Sequence, residues 1–488
     1  MRKLLPVLAA ALALVVLGSA CGDEGEEPAP TRTPAATAPA TARPTSTAAP
    51  TSTAAPTASP RLTRVATATP RATPTSVATP TPAETTATPT VAPTTAATPS
   101  PTPVASMFQE RKVCPGGGDA VALLVESSLL GPVRARLDVF ESDLCAEGHT
   151  VVEAAVASAA PPDIRSYLAQ LYAHTPEPLA GAILIGGLPH AYQWFTLTYT
   201  NPDIPPSSEE VISFQYYADL DGVFAASPGY ASPGGHPYSF DVHSGDIDWE
   251  IWTGVLPVYR GDAAATAEAV NRYFAKNHAY RTAGYDLPPV FLEVTEHHTA
   301  ETMEEHATIL SNMQSGEYAW TPFSSAPDAR LYFDSPPGGL SVDQGYADLS
   351  DGLADIAVLQ AHGTWRGSGK LDIAWAESEP VRTAFFWSDG CAVGNLDHAE
   401  NFLTSVLYSP TSMVVVAKGT TNDSGGLGTN ENGFFGHNIA TALAGDASFG
   451  EAMLGHVNVP LAYPWFNDRE LHFATPVVLG DPTLKLER

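Results

Sequence analysis

Two residues with acid–base and nucleophilic chemistry stand in matching places along this chain. His362 closes the segment Ile356-Ala-Val-Leu-Gln-Ala-His362 and is followed by Gly363, while Cys391 follows Ala384-Phe-Phe-Trp387 and the turn Ser388-Asp-Gly. Each lies just past a short apolar run, and such runs bounded by turn residues read as neighbouring strands of a parallel sheet covered on both faces. Reactive groups in such sheets collect at the carboxyl ends of the strands, so thiol and imidazole should meet at one edge. Cysteine nucleophilic catalysis needs that meeting, because imidazole holds or takes the thiol proton and the thiolate attacks. Gly363 adds a backbone N–H unobstructed by a side chain, suited to a developing oxyanion. Taken singly, a histidine at a strand end is usually a hydrogen-bonded structural residue and a cysteine there a small hydrophobe. The repeated placement favours chemistry.

Elements able to position this pair begin only after a long leader. Residues 1–20 read as a signal peptide: Arg2 and Lys3, an apolar stretch from Leu4 to Leu17, then Gly18-Ser-Ala before Cys21. Small residues directly before a cysteine suggest a bacterial lipoprotein, in which Cys21 is lipidated. Leu17 stands one position further from Cys21 than the usual pattern, and an ordinary secretory signal is the alternative. Residues 21–106 are mostly Thr, Pro, Ala and Ser, and no aromatic residue falls between Glu24 and Ser106. Such a segment buries too little apolar surface to offset its ordering entropy, so a disordered, semi-rigid stalk is expected. The formal net charge of −29 argues against nucleic acid as a partner, since phosphates would be repelled. Four cysteines are present. With Cys21 assigned to lipidation and Cys391 to catalysis, Cys114 and Cys145 remain, and in an oxidising compartment they can form a disulfide.

From Ala120 the pattern alternates. Strands are expected at Ala120–Val125, Thr150–Ala155, Ala180–Ile185 and Ile251–Leu256, with helices at Pro132–Ala146, Asp163–Ala173 and Ala263–Arg281. After Asp286-Leu-Pro-Pro289 the layout repeats: a strand at Val290–Val294, a helix from Ala300 to Gln314, the His362 and Cys391 strands, and a helix near Asn401–Leu407. A strand at Ser412–Ala417, a helix at Gly433–Ala444 and a last strand near Val477–Leu479 follow. Alternation of this kind predicts a doubly wound, mostly parallel α/β sheet flanked by helices. Two side-by-side α/β halves are expected, residues 107–285 and residues 286–488, the second carrying the catalytic pair.

Five segments, in order, resemble the gingipain-type cysteine peptidases, which share the caspase-like fold. They are Tyr216-Tyr-Ala-Asp-Leu-Asp-Gly222; Glu250-Ile-Trp-Thr-Gly-Val-Leu-Pro-Val258, in which Val255 replaces the common arginine; Ala361-His-Gly363; Ser388-Asp-Gly-Cys-Ala-Val-Gly394; and Gly480-Asp-Pro-Thr-Leu484. The resemblance implies an endopeptidase acting on protein or peptide substrates. Cys391 would attack the scissile carbonyl, His362 would pass a proton to the leaving amine, and Gly363 and Cys391 would offer oxyanion N–H groups. It further places Phe214 and the segment Thr420, Thr421 and Asn422 at the substrate-binding wall. Phe214 stands where basic-specific gingipains carry an acidic residue, and the wall lacks their tryptophan, so an apolar preference is as open as a basic one. A monomer at the cell surface or in the periplasm, held to the membrane by its lipid, is the expected setting, with no cofactor required for the chemistry.

Two further clusters carry ligand chemistry. Asp219, Asp221, Asp246 and Asp248, with Asp241 and Glu250 nearby, could supply oxygens to a structural calcium ion. Their spacing is not that of an EF-hand, and a solvated acidic loop is the equal alternative. His297, His298, Glu305 and His306 could suggest a zinc hydrolase, but they lack the H-E-x-x-H spacing that puts two ligands on one helical face. A caspase-like surface protein that binds without turnover is the other alternative function.

Overall fold

The computed structural model describes residues 107–114, 117–197, 206–283, 290–296, 329–333, 340–351, 354–378, 381–388, 390–418, 442–443, 446–458 and 476–486. Within them one sheet of twelve strands runs through both halves. Its strands are β1 (Phe108–Cys114), β2 (Ala120–Glu126), β3 (Thr150–Val156), β4 (Leu179–Ile185), β5 (Trp252–Leu256), β6 (Phe291–Thr295), β7 (Ala329–Phe333), β8 (Leu340–Ser341), β9 (Ile356–Gln360), β10 (Phe385–Ser388), β11 (Val414–Lys418) and β12 (Pro476–Gly480). In space they lie in the order β1-β3-β2-β4-β5-β12-β11-β10-β9-β6-β7-β8. All pairings are parallel except β1 on β3 and β12 on β11. The expected doubly wound α/β sheet is therefore the observed one, with an antiparallel edge and one antiparallel pair inside.

Strands β3, β5, β10 and β12 are buried along their whole length, which is what continuous Val, Ile, Leu and Phe runs demand of a sheet covered on both faces. Helix α1 (Ser127–Ala146) leads β2 to β3, and α2 (Pro161–His174) leads β3 back past β2 to β4. These opposite directions put the two helices on opposite faces under the right-handed crossover rule. Helix α3 (Ala263–Ala283) packs on α1, with Phe140 stacked on Phe274 at 4.9 Å. Further helices among the described residues are α4 (Val342–Asp351), α5 (Ile373–Ser378), α6 (Phe402–Leu407) and α7 (Phe449–Val457), with a single helical turn at Gln215–Ala218.

Three differences from the sequence expectation have physical causes. Helix α1 begins at Ser127, five residues before the proline expected to open it, because Leu129 is already buried against the core. Strand β1 reads as polar because it is an edge strand. Its residues Glu110 to Lys112 are exposed, and Arg111 reaches the buried carboxylates of Glu141 and Glu153, both at 2.6 Å. The two halves, finally, are joined by the C-terminal strand. β12 lies between β5 of the first half and β11 of the second. The helix expected at 300–314 lies outside the described residues, as does most of that at 433–444.

Candidate active site

The pair singled out by sequence stands on neighbouring strands. β9 and β10 run parallel, and their last register pair is Leu359 with Ser388. His362 and Cys391 each stand three residues beyond that pair, so both lie past the carboxyl ends of neighbouring parallel strands. Beyond the strands the two backbones close on one another. A Cβ placed on Gly363 would lie 2.7 Å from Gly390 Cα and 2.5 Å from Val393 Cγ2. One on Gly390 would lie 3.0 Å from Gly363 Cα and 2.8 Å from Ser368 Oγ. The residue after the histidine and the residue before the cysteine are thus packed too closely to carry side chains, and the two backbones approach one another next to His362 and Cys391. His362 is exposed and Cys391 is 7% exposed, the arrangement of a solvent-facing imidazole beside a sheltered sulfur. Thiolate chemistry belongs to the reduced form of Cys391.

Each side of the pair is held by its own loop. After His362 the chain forms a three-stranded hairpin sheet, Gly363–Thr364, Gly367–Ser368 and Leu371–Asp372, closed by Gly369 N–H donating to His362 O at 2.7 Å. After Cys391 the chain turns through Ala392 at φ 53°, a left-handed conformation costly for a residue with a side chain. Asn395 N–H closes that turn on Ala392 O at 3.0 Å. The two loops then meet again, where Trp365 stacks on His398 at 4.2 Å and accepts Phe402 N–H on its carbonyl at 2.8 Å.

Glu296 was not singled out by sequence. It follows β6, the strand beside β9, and accepts from Tyr346 Oη at 2.5 Å. Its Oε1 would lie 2.9 Å from a Cβ on Gly369, the residue bonded to His362 O. The sequence signal for it is its position at the carboxyl end of a strand, where reactive groups gather. The first half contributes Tyr192, whose hydroxyl donates to Asp397 in the cysteine loop and whose ring stacks on His236 at 3.6 Å. His190 is drawn below the ordinary imidazole range by burial and by His236, with Asp397 opposing.

Phe214 is 2% exposed, edge-on to His190 at 5.7 Å, so its ring does not face solvent. Thr420, Thr421 and Asn422, like Cys21 and the histidines 297, 298 and 306, lie outside the described residues. Cys114 and Cys145 form a disulfide with Cα atoms 6.2 Å apart, tying β1 to the end of α1. Of the acidic residues, Asp219, Asp221 and Glu250 bring ligand oxygens within 4.8 Å of one another, whereas Asp246 and Asp248 are not in that group. Asp219 is buried, accepting from Gly222 N–H at 2.6 Å and pairing with His243 Nε2 at 2.7 Å. Burial and the neighbouring Asp221 and Asp219 charges raise Glu250 to about 6.

No protein-family model matches the chain, and no curated protein does. Among solved structures, the Arg-specific cysteine proteinase gingipain R (RgpB) aligns with a TM-score of 0.51 at 13% identity, covering 77% of this chain and 80% of that one. The complex of Porphyromonas gingivalis RgpB pro- and mature domains aligns at 0.49 and 14%, covering 76% and 80%. At such identity the likeness establishes architecture alone: this chain has a mixed α/β, caspase-like fold with a large, mostly parallel central sheet flanked by helices.

Proposed function

We propose that the protein is a cysteine endopeptidase acting through His362 and Cys391. The observation that supports this reading is the close approach of the Gly363 and Gly390 backbones, next to His362 and Cys391, at the carboxyl edge of β9 and β10. In the reduced enzyme His362 takes the Cys391 proton, and the thiolate adds to the scissile carbonyl carbon. The carbonyl oxygen becomes an oxyanion received by the N–H groups of Gly363 and Cys391. Collapse breaks the C–N bond, the amine leaves with the proton from His362, and an acyl-thioester remains on Cys391. Water, deprotonated by His362, attacks the thioester; the carboxylic acid departs and the thiol is restored.

Asp219, Asp221 and Glu250 would hold a structural calcium ion, supplying charge balance to three crowded carboxylates and no chemistry. Lipidation at Cys21 would anchor the catalytic unit to a membrane through the Thr/Pro stalk; among the described residues no helix is long and apolar enough to cross one. A second reading is a scaffold of the same fold that binds peptide without turnover. Assay of reduced wild type beside Cys391→Ala separates them. Peptide hydrolysis present in the first and lost in the second, with melting unchanged, supports the peptidase. Turnover absent from both supports the binding protein.

A further inference from the structure

We infer that Asn401 is a positioning residue for the nucleophile, an assignment that rests on Cys391 being that nucleophile. Asn401 is 2% exposed, and every polar atom of its side chain is engaged. Its Nδ2 donates to Val393 O at 3.1 Å and to Asn395 O at 2.8 Å, two carbonyls of the loop that begins at Cys391. Its Oδ1 accepts from Thr404 N–H at 3.2 Å and so caps α6. One side chain therefore ties the helix start to both carbonyls that follow the left-handed turn at Ala392.

A strained turn persists only where its surroundings over-determine it. Here the turn has one internal bond, Asn395 N–H to Ala392 O, and the Asn401 bridge supplies two more from outside. The helix that carries the bridge is itself fixed at its far end. Lys276 of α3 donates to Leu407 O and, at 2.6 Å, to Ser409 O, so the cysteine loop is referred through α6 to the first half of the molecule. Helix capping alone does not require the amide, because serine caps as well as asparagine. The donors serve the loop.

Asn401→Ser separates the two roles, keeping a capping oxygen on a side chain too short to reach the loop carbonyls. Asn401→Asp also keeps the cap, while replacing the donors with acceptors. Both are measured with Cys391→Ala alongside, on protein reduced before assay. The expected result is a cooperative melt at a lowered temperature in both, lower in Asn401→Asp because its carboxyl faces the two carbonyls, kcat lower by about 100-fold with KM little changed, and slower iodoacetamide labelling read by mass at the Cys391 peptide. Wild-type kcat and labelling in Asn401→Ser would make the residue a helix cap only, and failure of both variants to fold would make it a general structural residue. Either outcome overturns the assignment. Retention of activity in Cys391→Ala would sink the nucleophile instead, while the labelling comparison would still report whether Asn401 shapes the loop.

Discussion

At the residue scale the site depends on missing side chains. Gly363→Ala would drive a Cβ into Gly390 Cα at 2.7 Å, a backbone contact with no rotamer to yield, so the two loops must separate. Displacement of this kind near reacting atoms costs on the order of 100-fold in rate. We expect kcat/KM of Gly363→Ala to fall by about that factor with the fold retained; an unimpaired variant would mean the contact does not align the pair. Charge placement makes a second residue-scale prediction. Glu141 and Glu153 are buried together beneath Arg111 and Arg134. Burial and a hydrogen bond shared with Glu153 push Glu141 up to about 8, while Glu153, despite burial, is drawn down by bonds from Glu141, Arg134 and Arg111. A carboxyl raised in the folded state contributes stability that is whole at low pH and is lost as pH climbs through about 8. Glu141→Gln, neutral at every pH, should therefore gain in melting temperature over wild type at pH 9 relative to pH 6. Equal differences at both values would contradict the shared proton.

At the element scale the terminal Gly480-Asp-Pro-Thr-Leu484 segment ties β12 to α3. Gly480 adopts φ 109°, and a Cβ there would meet Met413 O at 2.1 Å. Asp481, 1% exposed, accepts from Arg281 at 2.6 Å and from Asn277 at 2.9 Å, and Arg281 is itself almost fully buried. Breaking a buried ion pair on one side leaves an uncompensated charge, worth about 3–5 kcal/mol. Asp481→Ala should lower unfolding free energy by about that amount in a denaturant titration; a loss under 1 kcal/mol would show that Glu147, the other carboxylate on Arg281, suffices. This motif was legible as a glycine-acid-proline run, but its role was not, since its partners lie about 200 residues away in sequence. The same limit explains the other gaps. β9 and β10 were legible as apolar runs, and so was the position of His362 and Cys391 just past neighbouring strand ends, because local periodicity and the strand-end rule sufficed. β1 was not, because an edge strand shows charge on most positions, and Asn401 looked only like the start of a helix.

At the scale of the whole molecule, twelve strands among the described residues form one sheet with β12 at its centre. β12 pairs with β5 on one side and β11 on the other, so neither half's sheet is closed at that edge without it. Deleting residues 476–488 should yield insoluble or protease-labile protein, with both halves failing together; a truncated chain that stays soluble and melts cooperatively would show that they fold separately. The acidic group in the first half gives a ligand test at the same scale. If Asp219, Asp221 and Glu250 hold calcium, millimolar calcium should raise the melting temperature at pH 7.5, where Glu250, raised to about 6, is charged. Glu250→Gln should blunt that rise, and an unchanged melting curve in wild type would reduce the group to a charged loop.

The proposed mechanism requires His362 to act upon Cys391. The most direct measurement is the rate at which iodoacetamide labels Cys391 at pH 7 in reduced wild type and in His362→Ala. An imidazole beside the sulfur maintains thiolate, the form that reacts. Labelling should therefore be at least about tenfold slower in the variant, with peptide hydrolysis lost and the melting temperature unchanged. Equal labelling rates in the two proteins would separate His362 from the sulfur and contradict the dyad.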